Sequence, residues 1–134
     1  MNGDKLEFAA ALAVNAGPVY IATADASGKP HVAAAGRLAL AGDDRIELTE
    51  WFCPQTLANL AENGFISTVI WDEYSDTGFQ ILGRIEAVKE IGVLDGYAPK
   101  LENELPLPQI ERRLLIAVDK IIDFKLGPHS DIEE

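Results

Sequence analysis

The sequence predicts a mainly β domain of six antiparallel strands, curled into a small closed or nearly closed barrel with a few short flanking helices. Two observations carry this reading. Past the first helical stretch the apolar spacing shortens to β-prone runs bounded by turn residues, and the connections are too short for the helical crossovers that a parallel sheet needs. A glycine, Gly83, also stands in the middle of the longest early strand, where a barrel needs a bend or bulge.

Taken in order, Leu6, Ala9, Ala10, Ala13 and Val14 recur at helical spacing, so a helix is expected over Asp4 to Asn15, ended by Gly17-Pro18. Val19 to Ala24, His31 to Leu40 and Arg45 to Trp51 read as three strands. Asp25-Ala26-Ser27-Gly28-Lys29-Pro30 and Gly42-Asp43-Asp44 join them as a meander. Pro54 opens a short helix with Leu57, Leu60 and Ala61 on one face, and Asn63-Gly64 stops it. Phe65 to Asp72 and Gly78 to Val88 are two more strands, and Arg112 to Leu126 is the last, stopped by Gly127-Pro128. Between the last two strands, over Ile91 to Pro108, Leu94, Tyr97, Ala98 and Leu101 permit a helix broken near Pro99 and ended by Pro106 and Pro108. Residues 128–134 form an acidic tail expected to be loose, and the whole of 1–134 reads as a single domain without internal repeats.

Eleven Lys plus Arg against twenty-two Asp plus Glu leave a formal charge of −11, which opposes attraction to nucleic acid or anionic membrane. No stretch approaches the eighteen or so apolar residues of a membrane span, and Met1-Asn2-Gly3-Asp4-Lys5 lacks a basic region followed by an apolar core, so a cytoplasmic chain is expected. Cys53 is alone, and neither His31 nor His129 has metal-ligand spacing, so no metal site is expected. The sequence contains no nucleophile elbow, phosphate-binding loop or dinucleotide fingerprint, and no catalytic residue is assigned.

Three features point to one place. The backbone N–H groups of Gln55 and Thr56 lie in the first turn of the short helix, where they lack helical partners. With the helix dipole and the Thr56 hydroxyl they form a modest anion site, or simply a solvated helix start. In His31-Val32-Ala33-Ala34-Ala35-Gly36, small residues occupy strand positions, leaving space for a flat ligand along the backbone or for close packing of another strand or subunit. Thr49-Glu50-Trp51-Phe52 ends the third strand directly before the same helix, with Trp51 equally suited to core or interface. Arg84, opposite in facing to Ile81 and Ile85, suits a surface ion pair with Glu86 or another carboxylate, or a cation for an anion.

In this order "VYIATADASGKPHV", "PQTLANLAENGFISTVI", "TGFQILGRIEAV" and "IAVDKIIDFKLGPH" resemble the flavin-binding split-barrel superfamily of the pyridoxamine 5'-phosphate oxidase type, especially its small FMN-binding members. The resemblance spans Gly17 to His129. It implies a split β-barrel and a homodimer with FMN at the subunit interface. The phosphate would face Gln55 and Thr56, the ribityl chain Thr49, Glu50 and Trp51, and the ring Ala34, Ala35 and Gly36. Where the family usually has Lys or Arg, this chain has Gln55. The implied activity is FMN-dependent oxidoreduction of a small-molecule substrate. The alternatives are a flavin-binding or shuttle protein without turnover, or a relative that binds F420 or haem. Oxidation of pyridoxamine phosphate itself is not expected, since no cluster of Arg, His and Tyr stands ready for a second phosphate and a pyridine ring.

Overall fold

The computed structural model describes residues 3–17, 19–51, 54–94 and 109–128. Its elements are α1 (Gly3–Ala16), β1 (Val19–Ala24), β2 (Pro30–Ala35), β3 (Arg37–Gly42), β4 (Arg45–Trp51), α2 (Pro54–Glu62), β5 (Phe65–Asp72), β6 (Thr77–Leu94) and β7 (Gln109–Asp123). Among the described residues, seven strands form one antiparallel sheet in the order β2-β1-β5-β6-β7-β4-β3. This is the mainly β, split-barrel-like architecture expected, with one strand more than the sequence reading gave.

The extra strand comes from the stretch expected as one strand over His31 to Leu40. It breaks at a bend on Gly36. Before the bend β2 pairs with β1, Val19 opposite Ala35; after it β3 pairs with β4, Arg37 opposite Thr49. The two halves therefore lie at opposite ends of the sheet order, and the expected three-strand meander is instead two hairpins. A single strand cannot serve both edges, so the chain must turn where the sheet curls. The curl brings β2 near β4.

Local chemistry explains the other boundaries. Gly17, at φ +92°, takes the left-handed conformation that ends α1. The β1–β2 turn is held by Asp25, whose Oδ1 accepts from the Ser27 and Lys29 backbone N–H groups and from the Ser27 hydroxyl, with Gly28 at φ +88°. Gly83 sits at a register shift between β6 and β7, as its mid-strand position predicted. A Cβ there would run into the Ala117 carbonyl oxygen, so only glycine allows the strands to come this close. Residues 91–94, expected to begin a broken helix, continue β6. The remainder of that expectation, and the tail beyond residue 128, lie outside the described residues.

The inward faces supply one core, with Val19, Ile21, Ile46, Leu48, Ile70, Ile81, Leu114 and Ile116 essentially removed from solvent. Helix α1 covers β3, β5 and β6 through Leu6, Ala9 and Ala13, and Phe8 meets Phe79 edge-on at 5.6 Å. Helix α2 packs on β1 and β2, and its following Gly64 accepts a hydrogen bond from the Ile85 N–H. Outside, Tyr20, Val32 and Phe65 leave apolar surface exposed on the β2–β1–β5 face.

Candidate functional site

Helix α2 has no acidic residue in its first turn and no basic residue in its last. Its buried face is formed by Thr56, Asn59 and Leu60, at the i, i+3, i+4 spacing of one helical stripe. Two of those three are polar, which is unusual for a face turned toward a core. Asn59 is 3% exposed and donates from Nδ2 to Thr23 Oγ1 at 3.1 Å, tying α2 to β1. Gln55, one turn earlier and exposed, donates from Nε2 to Asn59 Oδ1 at 3.0 Å. A polar chain Gln55–Asn59–Thr23 thus runs under the first half of the helix. Asn59 and Thr23 were not among the expected site residues. Their signal in the sequence is a polar residue four positions after Gln55 and a threonine at an inward strand position.

Thr56 is 0% exposed, and its hydroxyl has no hydrogen-bond partner. Leaving a buried hydroxyl unsatisfied costs about 1–3 kcal/mol, so such a group calls for a reason. At the start of a helix, where backbone N–H groups and the dipole favour negative charge, an anion is the fitting partner. Gln55 and Thr56 were expected side by side toward one group; the fold sets Gln55 at the surface and Thr56 beneath it.

The other expected residues fall as follows. Ala34 is exposed and Ala35 is inward and buried, so along this strand a flat ligand could meet Ala35 only through its backbone. β2 is an edge strand, so a strand ladder takes up only one of its two edges. Gly36 stands at the bend between the sheet edges, beside a pocket of about 360 Å³ lined by Ala13, Val14, Gly17, Arg37 and Leu38. Half-buried Thr49 is the ladder partner of Arg37, which immediately follows Gly36, so the fold does bring strand two's small residues to the end of β4. Glu50 and Trp51 close β4 after a register shift, three residues before α2 begins. The fold therefore gathers β2, the end of β4 and α2 around the split.

Arg84 belongs elsewhere. It makes a two-pronged contact with Asp119, Nε and Nη2 donating at 3.2 and 3.1 Å, while Glu86 pairs with Arg45 instead. Asp119 edges a second, larger hollow of about 450 Å³ on the outer face, lined mainly by apolar atoms of Ala22, Ala24, Phe65 and Leu82. Among the described residues no group of three or more His, Cys, Asp or Glu could hold a metal ion, and no helix is long and apolar enough to cross a membrane.

The fold has solved counterparts. An FMN-binding protein from Syntrophomonas wolfei superposes with a TM-score of 0.69 at 23% identity, covering 92% of this chain and 88% of its own. HupZ of Group A Streptococcus gives 0.65 at 24% identity, covering 90% and 94%. HutZ, the heme storage protein from Vibrio cholerae, gives 0.57 at 12% identity, covering 91% and 94%. No curated relative matches the chain. A family model does match it over residues 7–115, from α1 into β7, and by that match the chain belongs to the pyridoxamine 5'-phosphate oxidase family.

Proposed function

We propose that the chain is an FMN-binding flavoprotein, a homodimeric oxidoreductase with its flavin held at the split between β2, the end of β4 and α2. The observation that carries this reading is the Thr56 hydroxyl, fully buried and without a partner in the first turn of α2, in a chain of this family. In this reading the phosphate lies at the start of α2, where Gln55 and Thr56 offer backbone and side-chain donors. Thr49, Glu50 and Trp51 line the ribityl chain, and Ala34, Ala35 and Gly36 lie along the ring, where small side chains leave room for a flat surface and strand backbone can bond ring heteroatoms. Bound FMN supplies hydride and electron transfer. The protein's part is to bind, orient and shield, and no side chain of this chain is assigned as an acid or base. The exposed apolar face of Tyr20, Val32 and Phe65 is the surface for the second copy.

The test is direct. The purified full-length protein should show flavin absorbance or bind added FMN stoichiometrically, and should run as a dimer. A colourless monomer that ignores FMN would refute the proposal.

A second reading, a flavin holder without turnover or a split barrel for haem or F420, draws on one observation. Helix α2 contains no Lys or Arg, and the Gln55 amide that stands in place of a cation is engaged with Asn59. Tight FMN binding without reduction by NADH or NADPH would favour the holder. Mass spectrometry of the co-purifying ligand separates the haem and F420 forms.

A further inference from the structure

A phosphate at the start of α2 needs a cation that α2 does not carry, and the fold offers one from another element. We propose that Arg112, from β7, is the cation of this anion site. The inference rests on the flavin reading above.

Arg112 has three properties that together distinguish it. It lies on the inward register of β7: Leu114, Ile116 and Val118, at successive alternate positions, are all buried, and Arg112 is two residues before them. It is the most buried cation among the described residues whose ion pairs are resolved, with 16% of its side chain exposed against 31% for Arg45, 32% for Lys5, 45% for Arg113 and 60% for Arg84. Among those same pairs its ion contact is also the longest, 3.8 Å to Glu90, whose own side chain is 66% exposed. A guanidinium withdrawn from water normally demands a close, well-made anionic partner, and Glu90 is neither close nor withdrawn.

Position supplies the rest. The ladder partner of Arg112 on β4 is Trp51, the last residue of that strand. From Trp51 to Pro54 the chain takes three peptide steps, roughly 11 Å at full extension. Helix α2 then packs on β1 and β2, with Asn59 bonded to Thr23 on β1, and the chain just after it is joined through Gly64 to Ile85 on β6. The first turn of the helix, with Thr56, follows the end of β4 within that reach, and Asn59 one turn later is tied to β1. Chain connectivity keeps the orphaned Thr56 hydroxyl near the strand end that pairs with Arg112, and an anion between the two would satisfy both. The other candidates fit less well: Arg84 is fully engaged by Asp119, and Arg37 is solvent-exposed, where an ionic contact is screened.

The experiment compares FMN with riboflavin, which differs from it only by the phosphate. Both are titrated into the full-length protein, stripped of any co-purified flavin, by fluorescence quenching. The wild type should prefer FMN. Arg112→Gln should weaken FMN by about ten- to a hundredfold, the range of a lost charged hydrogen bond, and leave riboflavin unchanged. Arg112→Lys should recover part of the preference. Glu90→Gln removes the competing carboxylate and should tighten FMN alone. If Arg112 serves only to pair with Glu90, Glu90→Gln will not tighten FMN and Arg112→Gln will leave the FMN-to-riboflavin ratio intact, and either result overturns the assignment. Should Arg112→Gln fail to fold, Glu90→Gln decides by itself. A wild type that binds neither flavin defeats the flavin reading itself, whereas binding with an unaltered ratio defeats only the role of Arg112.

Discussion

The Asn59 side-chain amide donates to the Thr23 hydroxyl at 3.1 Å across thirty-six residues of sequence, and it is the buried polar tie between α2 and the barrel. Both groups are almost wholly withdrawn from water, so removing one orphans the other. Asn59→Ala should cost about 1–3 kcal/mol of folding stability, measured by urea unfolding. It should also weaken FMN, because Gln55 loses the acceptor that holds its side chain.

Among the described residues two buried hydroxyls lack partners, Thr56 on α2 and Thr68 on β5. Valine is nearly the same shape without the polar group, so Thr68→Val should stabilise the fold by about 1 kcal/mol. Thr56→Val should be equally harmless to the ligand-free protein. Only Thr56→Val should weaken FMN, and equal effects of the two substitutions on flavin affinity would mean that Thr56 does not meet the ligand.

The fold and the family were legible because their signals are local. Alternating strands, the Asp25–Lys29 turn and the mid-strand Gly83 each dictate structure from neighbouring residues. The break at Gly36 was not legible, because a run of alanines fits one long strand as well as two, and only the curl of the sheet decides between them. In the site, the start of α2 could be read from Pro54 and Thr56. Arg112 could not, and Asn59 showed only as a polar residue one turn after Gln55, since a helix-face asparagine and a strand arginine gain meaning only when pairing turns them inward.

Gly83 and Gly78 mark places where strands approach too closely for a side chain. A Cβ at Gly78 would stand 2.5 Å from the Ile70 oxygen and 2.7 Å from the Phe124 oxygen. Neither neighbour is the end of a flexible side chain. Gly83→Ala and Gly78→Ala should each destabilise the protein by about 1–3 kcal/mol or more, read as a lowered midpoint in thermal unfolding.

Gln55 stands where a cation would serve a phosphate. Gln55→Lys should tighten FMN by about tenfold or more, with riboflavin unmoved. An unchanged FMN affinity in a flavin-binding protein would put the phosphate somewhere other than the start of α2.

Asp76 offers a pH prediction remote from the site. Its carboxylate accepts from the Leu126 backbone N–H at 2.8 Å and from the Trp71 indole at 3.0 Å, fastening the chain after β7 to the β5–β6 turn. These bonds favour the ionised form: the Leu126 N–H first and the Trp71 indole next hold the Asp76 carboxyl below its ordinary value of 3.8. For a carboxylate lowered on folding, the unfolded chain binds the proton first, so its contribution is complete above the ordinary value and disappears as pH falls through the lower folded one. Asp76→Asn keeps an acceptor of the same shape, and asparagine tolerates the φ of +50° found there. The stability gap between wild type and Asp76→Asn should therefore be constant near neutrality and close as pH drops below about 4. A gap that persists unchanged in acid would mean that shape, not charge, holds this turn.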